Sequence, residues 1–185
     1  MSWQRRPLPS AAERCEDPEQ ARQRALSWLA DRDYSSGGLY EKLCRFYTAR
    51  AAAYAVAEMV DRGYLDDERY ARNQARLLYG QHRSRRIIGL KLAEKGVERA
   101  LAARVLDELY EEWGEELAAA AEWRPEQPPE LADPETAAAA ALVEKQYRSK
   151  LQAGRPDLVL AALQRRGFSY RAARAAVAAV AAQQE

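Results

Sequence analysis

The sequence predicts an all-helical protein, and three observations carry that prediction. The 185 residues are rich in Ala, Leu, Arg and Glu and hold only two Phe, a composition that favours helix over sheet. Apolar residues recur at helical spacing, and no β-branched apolar run suited to a strand is present. Glycines and capping residues punctuate the periodic stretches where helices would start and stop. The length allows one or two ordinary domains.

The elements follow in order. Residues 1–20 read as a mobile tail, with Pro7, Pro9 and Pro18 interrupting polar sequence. A helix from Ala21 carries Leu26 and Leu29 on its apolar side, with Trp28 nearby. After a break at Tyr34 to Gly38, a short second helix places Leu39 and Leu43 one turn apart. Thr48 suits the N-cap of a third, which runs to about Arg62 with Val56 and Val60 on one face. Gly63 suits the left-handed residue that closes it.

The next stretch, Gly-Tyr-Leu-Asp-Asp-Glu-Arg-Tyr-Ala at 63–71, has the sharpest boundary signals. Asp66 suits an N-cap, with Asp67 and Glu68 in the first turn where the helix dipole favours carboxylates. Leu65 and Tyr70 have the spacing of a hydrophobic staple. Read as chemistry, Asp66 and Asp67 would be metal ligands or an acid–base pair; a helix start explains them more simply. On this helix Tyr70, Ala71, Gln74, Ala75 and Leu78 share one side, and Arg69, Arg72 and Arg76 the other. Gly80 breaks it. Ser84 caps the next, which buries Ile87, Ile88 and Leu92, carries Lys91 and Lys95 towards its end and stops at Gly96. Val97 to about Glu112 forms a third helix, with Leu101, Val105 and Leu109 every fourth residue and Ala102 and Leu106 beside them.

A third trio follows an interruption. Thr136 to Lys150 is its first helix; Pro156 sits at the first position of the second, which carries Val159 and Leu163. Gly167-Phe168-Ser169 ends that helix and caps the last, where Tyr170, Ala173, Val177 and Val180 line one face. The second helices superpose by residue type: Leu39 and Leu43, Ile88 and Leu92, Val159 and Leu163. Gly96 and Gly167 each follow the second apolar residue by four. In the first trio that place holds Tyr47, so its helix must end differently. An internal repeat of about 50 residues means stacked helical units, each too small to bury its own core. Accidental likeness among short Ala-rich helices is the alternative. The expected organisation is a tail at 1–20, three-helix repeats at 21–65, 66–112 and 135–185, and an insertion at 113–134.

Charge is segregated. The chain has a net charge of +1, yet Arg69 to Lys95 holds eight basic residues and one acidic, Glu94, for a net of +7. Asp107 to Glu135 holds eleven acidic residues against Arg124, for a net of −10. Pro125, Pro128, Pro129 and Pro134 mark the second half of that insertion as a linker; an acidic arm that mimics DNA is the weaker reading. Ala141 to Glu185 returns to a net of +5. Such basic faces are the footprint of a polyanion partner, and a merely solvated surface has equal weight on composition alone.

Several classes of function find no support. No apolar run reaches the roughly 20 residues that cross a bilayer, and the first twenty residues lack the apolar centre of a secretory signal. Cys15 and Cys44 are isolated, and with one His they suit reduced thiols rather than a zinc site. His82 lies in a run of arginines with no carboxylate neighbour to orient it as a base. No phosphate-binding glycine loop is present. The four Trp, at 3, 28, 113 and 123, form no stacking platform along the sequence. The expectation is a cytoplasmic monomer without cofactor or metal that is not an enzyme.

These residues resemble the RecX family, the bacterial regulators of the RecA recombinase. The likeness is carried by residues 63–71, by Lys-Leu-x-x-Lys-Gly-Val at 91–97 and by Arg-Arg-Gly-Phe-Ser at 165–169, and runs from about Ala21 to about Val180. Tyr47 with Gly37-Gly38, and the insertion at 113–134, depart from the pattern. The resemblance implies tandem three-helix repeats in an elongated, curved array of either hand. It implies a non-enzymatic modulator of recombination, DNA repair and the SOS response. Such a protein binds the RecA–DNA filament in its groove and lowers ATP hydrolysis and strand exchange. Charge placement, rather than the family, nominates the contacts: Arg69, Arg72, Arg76, Arg83, Arg85, Arg86, Lys91, Arg165, Arg166, Arg171 and Arg174. Bare DNA would be bound weakly and without sequence preference. A free-standing helix-turn-helix DNA-binding module is the competing reading, and a scaffold for other helices a third.

Overall fold

The computed structural model describes residues 9–10, 13–122 and 128–182. Among them the regular elements are all helical: α1 (Pro18–Asp31), α2 (Ser36–Leu43), α3 (Ala49–Asp61), α4 (Asp67–Gly80), α5 (Arg85–Glu94), α6 (Arg99–Glu122), α7 (Pro134–Gln146), α8 (Arg148–Gln152), α9 (Pro156–Arg165) and α10 (Tyr170–Ala182). No helix among the described residues is long and apolar enough to cross a membrane. One compact unit comprises Met1–Ala71 with Ala93–Glu98; the other comprises Arg72–Leu92 with Arg99–Glu185.

An aspartate caps the first helix of each trio. Asp17 accepts from Glu19 and Gln20 N–H, Asp66 from Arg69 N–H at 2.9 Å, and Asp133 from Thr136 N–H at 2.9 Å. Each satisfies N–H groups that the first turn leaves without an intrahelical partner. The recurrence supports the repeat reading independently of apolar spacing, and it assigns Asp66 to capping.

In the first unit α1 and α3 pack together and α2 closes the core. The buried set is small and tight: Ala21, Ala25, Ala51, Ala52 and Ala55 are 0–1 % exposed and surround the fully buried Leu39, Leu43 and Met59. Alanines on facing helices allow close axial approach. The inward strip of α3 runs through Met59, leaving Val60 47 % exposed instead of buried as the spacing suggested.

One expectation for this unit needs correction, and another gains its physical cause. Asp17 and Pro18 start α1 three residues before Ala21, with Pro in the first turn where its missing N–H is harmless. Residues 13–20 therefore belong to the fold rather than to a tail, while residues 1–8 and 11–12 lie outside the described residues. Tyr47 supplies the different ending that the first trio needed. Cys15 N–H donates to Phe46 O and Thr48 N–H to Cys15 O, both at 3.0 Å, a parallel bridge that pins the end of α2 to the arm before α1. Tyr47 is buried, and its hydroxyl donates to Gln20 O at 3.3 Å.

In the second unit α7 and α10 pack together with α9 around Val143, Val159, Leu163, Phe168, Val177 and Val180. Ile88, Leu92, Val105, Leu106 and Leu109 are buried as their periodicity predicts, while Ile87 is half-buried. Tyr170 is 58 % exposed, against its expected place on the buried face. Tyr147 interrupts the long helix expected from Thr136 to Lys150, dividing it into α7 and α8.

The acidic insertion differs most from its reading as a linker. α6 runs ten residues past Glu112, to Glu122, through Leu117 and four consecutive alanines that favour helix. Trp113 anchors the extension: it is buried and stacks on Tyr79 with centroids 4.0 Å apart. Pro129–Ala132 form a 3-10 turn, Leu131 packs on the core, and Tyr79 donates its hydroxyl to Pro134 O at 3.2 Å. Residues 113–122 and 128–134 are thus ordered parts of this unit. Trp123, Arg124 and Pro125 lie outside the described residues.

Candidate functional site

The arginine-rich stretches are positioned by a joint that occurs twice. In the second unit Ser84, fully buried at the start of α5, donates its hydroxyl to Arg166 O at 2.9 Å and receives Ile87 N–H at 3.4 Å. Arg166 precedes Gly167, whose φ of 82° is the left-handed conformation that closes α9. A Cβ on Gly167 would lie 2.9 Å from Ser84 Oγ and 3.2 Å from Ile87 Cγ1. In the first unit Ser35 caps α2, receives Gly38 N–H at 3.0 Å and donates to Lys95 O, the residue before the left-handed Gly96. Gly37 and Gly38 lie directly on that turn. A Cβ on Gly37 would collide with Gly96 O, and one on Gly38 would lie 2.7 Å from Lys95 O. Arg155 holds the corresponding place before α9 and makes no side-chain cap.

The second joint brings together two of the nominated clusters, Arg83–Arg86 and Arg165–Arg166, across 82 residues of sequence. Arg83, Arg86 and Arg165 are exposed, and Arg166 is half-buried over the Tyr147 ring at 5.6 Å. His82 enters this turn with φ 59°. Burial and then the nearby Lys145 charge hold its imidazole below its ordinary value, so it stays neutral at physiological pH and adds no charge.

Other nominated residues are already engaged. Arg72 is half-buried and pairs with Glu108 and with Glu112, the latter at 3.1 Å. Arg76 reaches Glu112 at 3.2 Å. Arg85 pairs with Asp107 and lies over the Tyr110 ring at 5.2 Å. α6 supplies these carboxylates, so the cationic stripe read along α4 is partly neutralised from another helix. Arg69, Arg83, Arg86, Arg165, Arg171 and Arg174 are exposed, and no ion pair holds any of them among the described residues. Lys91 is exposed as well.

The aromatic residues are more gathered than their sequence positions suggest. Buried Trp113 gathers two half-buried tyrosines, Tyr79 and Tyr110, with Tyr110 edge-on to Tyr79 at 6.0 Å. Burial pushes the Tyr79 phenol up to about 12 and raises that of Tyr110. The group faces inward, so it is core rather than a base-stacking surface. In the first unit Lys42 lies over both Trp28, at 4.0 Å, and Tyr34, at 4.6 Å, and Trp28 tilts against Phe46 at 6.2 Å. Each cation there covers an aromatic face within its own unit. Among the described residues no group of three or more His, Cys, Asp or Glu could hold a metal ion.

The chain has a RecX-like fold. It matches the crystal structure of RecX from Lactobacillus salivarius with a TM-score of 0.67, over 88% of this chain and 96% of that one, at 15% sequence identity. No family model matches the sequence, and no curated protein matches it. Within this RecX-like fold, sequence reading missed Ser35 as a cap, the carbonyl partners of Ser35 and Ser84, and the carboxylate partners of the arginines. Ser35 and Ser84 each precede the first superposed apolar residue, Leu39 or Ile88, by four, a coincidence the repeat alignment could have exposed. Nothing along the sequence marks Asp107, Glu108 and Glu112 as the carboxylates that take Arg85, Arg72 and Arg76.

Proposed function

We propose that the protein is a non-enzymatic regulator that binds the RecA–DNA filament and lowers its ATP hydrolysis and strand exchange. It would act in the cytoplasm, as a monomer, in recombination and repair. The observation that carries this reading is the RecX-like fold, which extends over nearly all of both chains; the motifs at 63–71, 91–97 and 165–169 support it. The cations assigned to the interface are the exposed arginines, above all Arg83, Arg86 and Arg165 around the second joint, with Arg69, Arg171 and Arg174. Arg72, Arg76 and Arg85 are assigned a supporting role through their glutamate and aspartate partners. Basic residues spread over several helices suit many moderate contacts on a composite surface better than base reading by one helix.

The test is a titration of recombinase filaments at fixed salt, read by ATP hydrolysis, with bare DNA of the same sequence as control. Tight binding to coated DNA, a slowed ATPase and weak, salt-sensitive binding to bare DNA are expected. Arg83→Glu with Arg86→Glu should remove the effect and leave helix content unchanged. Equal affinity for coated and bare DNA with an unaffected ATPase would instead favour the free-standing DNA-binding module.

A further inference from the structure

A groove of about 560 Å³ runs along α10 in the second unit. One wall is methyl groups: Ala175, Ala178, Ala179 and Ala182 recur at i, i+3, i+4 and i+7. Arg171 and Arg174 stand on the same helix one turn earlier, and Pro128 and Glu130 complete the lining. We propose that this groove is a docking site for an acidic amphipathic helix of a partner protein.

Three observations lead there. The alanine strip offers no hydrogen-bond donors and no bulk, so another helix can approach its backbone closely and insert larger apolar side chains. From Ala175 to Ala182 the strip is roughly 10 Å long at helical rise, the length over which a guest helix presents two successive apolar turns. The charge on the rim decides the guest's polar face. Arg72, Arg76, Arg85, Arg104 and Arg148 of this unit each hold a carboxylate. Arg171 and Arg174 are exposed and hold none among the described residues. They lie in the first turns of α10, where the helix dipole also favours an approaching anion, and among the described residues Glu130 is the one opposing charge that lines the groove. Exposed Tyr170 stands at the same end, a residue type that recurs with Arg among the strongest interface contacts. A duplex would reach the arginines with its phosphates but leave the apolar wall empty. A helix with leucines on one side and carboxylates on the other satisfies both.

The inference does not depend on recombinase binding, and its test contains no recombinase. The probe is a fluorescent synthetic helix of about 15 residues, Leu at i, i+3, i+4 and i+7 with Glu elsewhere, titrated with the full chain and read by anisotropy. Saturable binding is expected, and a matched peptide with Lys in place of Glu should not bind. Arg171→Glu with Arg174→Glu should weaken binding at least about tenfold, by replacing attraction with repulsion. Ala178→Trp, at an exposed position that fills the groove, should abolish it; circular dichroism confirms that both variants stay helical. Undiminished binding by Ala178→Trp, or equal binding of the Lys peptide, would overturn the proposal. So would displacement of the probe by a single-stranded oligonucleotide at equal strength. Concentration-dependent self-association that excludes the probe would also overturn it, in favour of a second copy of this chain, whose α6 ends in an acidic helix.

Discussion

The two joints use one hydrogen bond in two different settings. Ser35 and Ser84 each cap a second helix and donate to the carbonyl before a left-handed glycine in a later repeat. At the first joint backbone lies on backbone, because Gly37 and Gly38 present no side chain to Gly96. At the second the corresponding residues are Arg86 and Ile87, and Gly167 meets the Ile87 side chain. The polar contact is therefore the shared element, while the packing around it varies. The setting that accepts side chains is also the one that gathers exposed arginines.

The largest expected effect separates backbone contact from side-chain contact. Gly37→Ala or Gly96→Ala sets a Cβ against main chain that cannot retreat, and Gly96 also sits at φ 80°. Each should lower stability by roughly 3–5 kcal/mol in urea unfolding. Gly167→Ala carries the left-handed penalty of about 1–2 kcal/mol, but its neighbours are side chains that can turn away. A loss at Gly167 as large as that at Gly96 would refute the distinction.

Removing the shared hydrogen bond comes next. Ser84→Ala and Ser35→Ala each delete a buried donor and a cap, and each should cost about 1–2 kcal/mol. Similar values at both sites are the expected result; a several-fold inequality would show that packing, not the serine, sets joint strength.

A smaller effect tests the aromatic group beside the second joint. The buried Tyr110 hydroxyl has no hydrogen-bond partner among the described residues, so Tyr110→Phe should leave stability unchanged or raised by about 1 kcal/mol. A clear loss of stability on thermal unfolding would reveal a bond to that hydroxyl.

The smallest concerns pH and belongs to the second joint alone. The folded state holds His82 below its ordinary 6.5, so beneath that value the unfolded chain binds more protons. Stability is then fully present above pH 6.5 and declines as pH falls from there towards the lowered folded value. His82→Asn, which suits the left-handed backbone, should flatten that part of the stability profile. A profile identical to that of the parent chain would rule the histidine out as its source.

Helix ends were legible at Gly63, Asp66, Gly96 and Gly167 because capping and left-handed geometry act within a few residues. The inward faces of α5 and α6 were legible at Ile88, Leu92, Val105 and Leu109, where period decides them, while Ile87 and Leu101 stay half-buried. Tyr47 announced an exception, but not its cause, since the arm at Cys15 meets it through main-chain atoms that any residue carries. The α6 extension was misread because glutamates and prolines dominated the count, while a single Trp113 held the helix in place. The basic stripe on α4 looked free for a related reason. Linear charge counts leave out Glu108 and Glu112, which reach Arg72 only in space.

Each joint also imposes a schedule on synthesis. The serine emerges first and its acceptor much later, 60 residues on for Ser35 and 82 for Ser84. At typical elongation rates those gaps are roughly 3–12 s and 4–16 s, far longer than a helix needs to form. Ser35 and Ser84 therefore wait on the ribosome with exposed hydroxyls until the next glycine turn arrives. The apolar core of the first trio, from Ala21 to Leu65, is complete with its Cys15 arm before that moment, while its Ser35 joint stays open until Lys95 appears.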